Sequence, residues 1–166
     1  MIDSARYAVL TEFGKKLSNK PSLKEGLVLI AEAAKELLHA KRCSIYVYEA
    51  SSNQLCTTLS DGIQKISISA DEGLAGYTIR EKKPIISNDP YNDPHFFKGV
   101  DQQSGFVTDN IATAPVFSSQ RKVIGVLQLL NKKDGFTEED SKFMIFFAHY
   151  ISSYLELASM YGESCE

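Results

Sequence analysis

The side chains with recognition chemistry to offer gather in GVDQQSGFVTDN, residues 99–110, a polar stretch between the aromatic pair Phe96-Phe97 and an apolar run that starts at Ile111. Asp101, Ser104, Thr108 and Asp109 supply hydrogen-bonding groups, and Gly99 and Gly105 free the backbone. A hydroxyl donates and accepts while a carboxylate only accepts, so the stretch suits either a solvated loop or the wall of a pocket. Sets suited to catalysis or metal binding are lacking. His39, His95 and His149 are too dispersed for metal-ligand spacing. Glu138, Glu139 and Asp140 read as the acidic first turn of a helix, not as a general acid–base pair. Cys43, Cys56 and Cys165 are odd in number and lack CxxC spacing, which argues against a disulfide framework or a zinc cluster and for a reducing cytoplasm. Tyr46, Tyr48, Phe143, Phe146 and Phe147 read as packing residues.

These groups must be carried by 166 residues, a length that suits one domain. The sequence divides into N-terminal helices over 1–40, a sheet with a pocket over 41–135 and a C-terminal helix over 136–162. With 43% hydrophobic and 23% charged residues the chain can build a core. A net charge of -3 and a pI near 5.7 leave no basic field for nucleic acid, so none is expected as a partner. No run reaches the roughly 18 apolar residues that a membrane span requires, and the first residues lack the charged, apolar and small-residue zones of a secretory signal.

Ile2, Ala5, Val9, Leu10, Phe13 and Leu17 recur at helical spacing, and after Pro21 the order Ser22, Leu23, Lys24, Glu25 has capping-box form. A second helix is predicted from there to Ala40. The period then changes to alternation in RCSIYVYE, and NQLCTTLS and QKISISA make two more strands of an antiparallel meander. A short helix is expected at about 74–82, with Ile85-Ile86 as a stub strand beyond Pro84. Then follows SNDPYNDPHFFKGVDQQSGFVTD, whose two Asp-Pro pairs disfavour helix. NIATAPVF and KVIGVLQLLN are apolar on both faces, as central strands are. A long helix follows Thr137, apolar nearly all round. The fold class is α+β: a central antiparallel sheet with the terminal helices on one face and a ligand pocket on the other.

From Arg42 to Tyr154 the chain resembles the GAF domains, in particular the regulatory GAF domains of cyclic-nucleotide phosphodiesterases and related adenylyl cyclases. The likeness rests on RCSIYVYE, on ISADEGLAGYTIREKKPIISNDPYNDPHFFKGVDQQSGFVTDNIATAPV and on KVIGVLQLLNKKDGFTEEDS. Asn131, Lys132, Phe136 and Asp140 match the family's signature, and Ser141 departs from it where the family has Glu. The resemblance implies that Lys132 and Asp140 pair, locking strand to helix. It also implies that the stretch 99–110 folds over a nucleotide, with Asp101, Ser104 and Thr108 against ribose and phosphate. Further positions carried over by resemblance are Ser44 and Asp61 toward the base, Leu74 and Ala75 at a helix start that favours phosphate, and Phe97, whose backbone amide approaches it. Gln128 stands where some cGMP-binding relatives have an acidic residue that addresses guanine, which tilts the expectation to cAMP over cGMP.

The resemblance implies a non-enzymatic sensor with no cofactor, which binds a small-molecule ligand and forms a homodimer through its terminal helices. Two other readings stay open. One is a GAF domain that has lost its ligand and serves only to dimerise. The other is the GAF-fold reductase of free methionine sulfoxide, against which stands the absence of cysteine from residues 57–164.

Overall fold

The computed structural model describes residues 3–19, 21–60, 67–96 and 107–160. Asp3 caps helix α1 (Ser4–Ser18) by accepting from the Arg6 amide, and Ser22 caps α2 (Leu23–Leu38) by accepting from the Glu25 amide, the hydroxyl half of the expected capping box. Helix α2 ends two residues before the expected Ala40. His39 adopts a left-handed conformation with φ 55°, and Ala40 already pairs with Lys132 across the sheet. Strand pairing there overrides the helix preference of alanine.

Strands β1 (Ala40–Glu49), β2 (Gln54–Ser60) and β3 (Ser67–Ser69) form the expected antiparallel meander. Helix α3 (Gly73–Glu81) and strand β4 (Ile85–Ser87) follow, then a 3-10 turn at Pro90–Asn92. Strands β5 (Ile111–Phe117) and β6 (Val123–Lys132) lead to helix α4 (Glu138–Met160). The six strands run in the order β3-β2-β1-β6-β5-β4, so the last strand of the sequence inserts beside the first. That central place explains why Val126, Leu127, Leu129 and Leu130 are all buried, whichever face they point to.

Helices α2 and α4 lie on one face of the sheet, with α1 packed beside α2. There Ile30, Leu37 and Leu38 of α2 and Met144, Phe147 and Ile151 of α4 meet Cys43, Ile45, Ala112, Ala114, Val116, Leu127 and Leu129. Helix α1 is held more loosely: within Ser4–Ser18 only Phe13 is buried, its ring edge-on to Phe147 and Tyr150. On the opposite face α3 covers two smaller clusters. Ala75 packs with Tyr46, Leu55, Ala70 and Val126, and Leu74 with Ile111 and Leu130. Ser44 and Tyr46 are therefore buried as well as Cys43 and Ile45, because both faces of β1 are covered.

Candidate ligand site beside the short helix

The sheet face opposite the terminal helices carries a row of polar side chains. Strand register sets Ser44 beside Gln128 and Gln128 beside Thr113, on β1, β6 and β5 in turn. Alternation puts all three on one face. Thr113 meets Thr78 of α3, oxygen to oxygen at 2.5 Å. Thr78 also reaches the Leu74 carbonyl at 2.7 Å and Thr113 the Ile85 carbonyl at 3.4 Å, so each hydroxyl has a second partner beyond that contact. The two hydroxyls, both fully buried, pin α3 to the sheet.

Tyr46 belongs to the same face, two positions along from Ser44, and its phenol hydrogen-bonds to the Gln128 amide. Burial pushes the phenol up to about 12, against a smaller opposing pull from Gln128, so it stays protonated at physiological pH. Gln128 is itself only half-buried and keeps hydrogen-bonding capacity beyond Tyr46.

Helix α3 is seated by close backbone approach. A Cβ on Gly76 would lie 2.2 Å from the Ala70 carbonyl oxygen, which leaves room for glycine alone. That carbonyl also accepts from Arg80 at 3.0 Å. The helix opens without a side-chain cap, since Glu72 at the capping position makes no such hydrogen bond. Its first amides therefore suit an anion.

Beyond β4, His95 stacks on Tyr77 of α3, rings 3.8 Å apart and 14° from parallel. Asp93 accepts from the backbone amide of His95 at 2.9 Å and lies 3.1 Å from its ring Nδ1. Burial works to raise the Asp93 pKa, but hydrogen bonds from the His95 amide, Ser87 and the His95 ring outweigh it and hold the carboxyl low.

The four residues of the family signature converge. Lys132 Nζ lies 2.7 and 2.6 Å from the two oxygens of Asp140, whose side chain is 1% exposed. Asp140 also accepts from the Thr137 amide at 2.8 Å, closing a cap on α4. The Asn131 side chain accepts from the Asp109 amide at 2.6 Å and donates to the Val107 carbonyl at 2.9 Å. Phe136 is buried in the helix-side core.

Of the residues predicted to face a ligand, Ser44 and Gln128 are thus neighbours, with Leu74 and Ala75 over the same face. Thr108 is buried at 1% exposure where the chain comes back toward β5. Asp61, Phe97, Asp101 and Ser104 lie outside the described residues. Sequence reasoning passed over Tyr46, Thr78 and Thr113. Tyr46 was legible in the alternation with Ser44, and Thr113 as the one hydroxyl inside NIATAPVF. The expectation about cysteine is corrected: Cys43 is a buried thiol on the helix side, but Cys56 is disulfide-bonded. A groove of about 540 Å³ lies elsewhere, between the β5–β6 turn and α4, lined by Phe117, Arg121, His149 and Glu156 among others and by none of the predicted residues.

A family model described as the GAF domain matches residues 22–155. The chain belongs to the GAF domain family. It is 26% identical over 152 residues to a probable 3',5'-cyclic phosphodiesterase, pde-5, of Caenorhabditis elegans, which covers 82% of this chain and 21% of that protein. The chain thus spans about a fifth of that relative's length. Among solved GAF structures, the domain of a phosphoenolpyruvate-protein phosphotransferase from Coxiella burnetii superposes with a TM-score of 0.83 at 19% identity, covering 95% of this chain and 96% of that one. Free methionine-R-sulfoxide reductase from Neisseria meningitidis, solved with its substrate, gives 0.77 at 17% identity, covering 97% of this chain and 95% of that one. At such identities these two likenesses show the fold alone. Among the described residues no helix is long and apolar enough to cross a membrane.

Proposed function

We propose that this GAF domain is a regulatory sensor that binds a cyclic nucleotide on the sheet face beside α3 and signals through its terminal helices. The observation that carries the reading is that α3, whose start has no side-chain cap, lies on the sheet face of Ser44 and Gln128, with Ala75 packed against Tyr46 and Val126. An anion-favouring helix end beside hydrogen-bonding side chains suits a phosphate joined to a base. The relative named a 3',5'-cyclic phosphodiesterase supports the same ligand class. Asp101, Ser104 and Thr108 are assigned to ribose and phosphate, Phe97 to phosphate through its amide, and Asp61 to the base. An amide at Gln128 both donates and accepts, which favours cAMP over cGMP.

Calorimetric titration of the nucleotide-free chain with cAMP, cGMP and AMP tests the reading. The expected result is one-site binding of a cyclic nucleotide with Kd at or below about 1 µM, near -8 kcal/mol, cAMP the tighter and AMP weaker than either. Replacing Asp101 and Thr108 with Ala should weaken it at least about tenfold, the loss of roughly 1.4 kcal/mol. Absence of heat and of any thermal shift with both cyclic nucleotides would overturn it.

The exposed Ile145, Phe146, Tyr150 and Leu157 along α4 favour homodimerisation through the terminal helices, and would be all that is left in a ligand-free dimerisation module. The reductase reading has little to stand on. Its chemistry needs a thiolate at the site, whereas Cys43 lies in the helix-side core and residues 57–164 carry no cysteine.

A further inference from the structure

The chain leaves β4 at Asn88 and comes back toward β5 at Val107, and both ends are fastened to one short stretch, residues 131–140, which runs from the end of β6 into the first turn of α4. At the leaving end Asn88 Oδ1 accepts from the Phe136 amide at 2.9 Å, and Asn88 Nδ2 donates to the Phe136 carbonyl at 3.1 Å. One side chain so satisfies both backbone groups of one residue, as a neighbouring strand would. Gly135 makes room for it. Its φ is +87°, and a Cβ there would lie 2.8 Å from Asn88 Oδ1.

The returning end is fastened by Asn131, which holds Val107, Asp109 and Asn110 by their backbones. Asn110 reciprocates: its side chain accepts from the Lys132 amide and donates to the Lys132 carbonyl, both at 2.8 Å. From that same stretch Phe136 enters the core, and Lys132 grips Asp140 in the first turn of α4. Displacing either end of the 88–107 excursion therefore loads the start of α4.

We propose that residues 131–140 form a junction that carries occupancy of the ligand site to α4, with Asn88 as the positioning residue at its outer end. The nature of the occupant rests on the sensor reading; the mechanical link between the two ends does not. Binding that favours one placement of the fastened ends, residue 88 and residues 107–110, favours, by linkage, one arrangement of the helix start.

Hydrogen exchange of the whole chain, wild type against Asn88→Ala, decides between a junction and two independent anchors. The Asn88 side chain bonds Phe136, while its neighbour Ser87 already pairs with Ile111 in the sheet, so the readout that isolates the junction is α4: without ligand the amides of 138–144 should exchange roughly three- to tenfold faster in the variant. Faster exchange confined to 86–90, 107–111 and 135–137 would overturn the proposal. Should Asn88→Ala fail to fold, Asn88→Asp keeps the acceptor for the Phe136 amide and should give the same pattern at smaller size. With saturating cAMP or cGMP, wild type should slow exchange over 138–144 and Asn88→Ala should lose most of that slowing at matched occupancy; full retention would overturn the proposal. If wild type binds neither nucleotide, the sensor reading falls, and the ligand-free comparison still decides the junction.

Discussion

The Asp140 carboxylate, 1% exposed, takes both hydrogen bonds of the Lys132 ammonium and one from the Thr137 amide. Solvent-exposed pairs contribute little, but a buried pair that loses one partner strands the other charge. Asp140→Asn should therefore lower unfolding stability by about 3 kcal/mol, read as a lower urea midpoint with unchanged m. A loss under about 0.5 kcal/mol would make the pair a surface ornament. The motif's missing Glu is easier to accept in this light. Asp140 alone pairs with Lys132 and closes the cap, and Ser141 donates its backbone amide to the Thr137 carbonyl as an ordinary turn requires.

At the scale of elements the telling piece is α3, nine residues long and too short to be stable by itself. It holds its place through Gly76 against the Ala70 carbonyl, the Thr78–Thr113 contact and the burial of Leu74 and Ala75. Gly76→Ala would drive a methyl into a backbone carbonyl that cannot step aside. The expected cost is about 1–3 kcal/mol by thermal or urea unfolding. Because α3 would shift off the sheet, nucleotide affinity should fall further than in Asp140→Asn at equal stability loss. Equal affinities in the two variants would show that α3 does not form the site.

For the whole molecule the open question of association lies with α4. One side of that helix fills the core with Met144, Phe147 and Ile151, while Ile145, Phe146, Tyr150 and Leu157 remain exposed along another. Light scattering at micromolar concentration should return the mass of a dimer, and Phe146→Glu should return that of a monomer with its melting temperature little changed. A monomeric wild type would leave the stripe without the proposed partner. Helix α1, with only Phe13 buried, is the element freest to rearrange in such an assembly.

Local patterns in the sequence determined much of this: the switch from helical to alternating period after Lys41, the Ser22 and Thr137 caps, the short helix after Asp71-Glu72, and the largely apolar β5 and β6. They are legible because caps and periodicities are properties of neighbours along the chain. The exact end of α2 was not legible, since pairing with Lys132 across the sheet converts Ala40 to strand. Nor was the insertion of β6 between β1 and β5, which brings Gln128 beside both Ser44 and Thr113 from positions 84 and 15 residues away along the chain. Tyr46 looked like packing until its phenol met Gln128, and Asn88 drew no attention until Phe136 came within reach. Those roles depend on contacts distant in sequence, and only the tertiary fold, which sets which strands and turns become neighbours, could decide them.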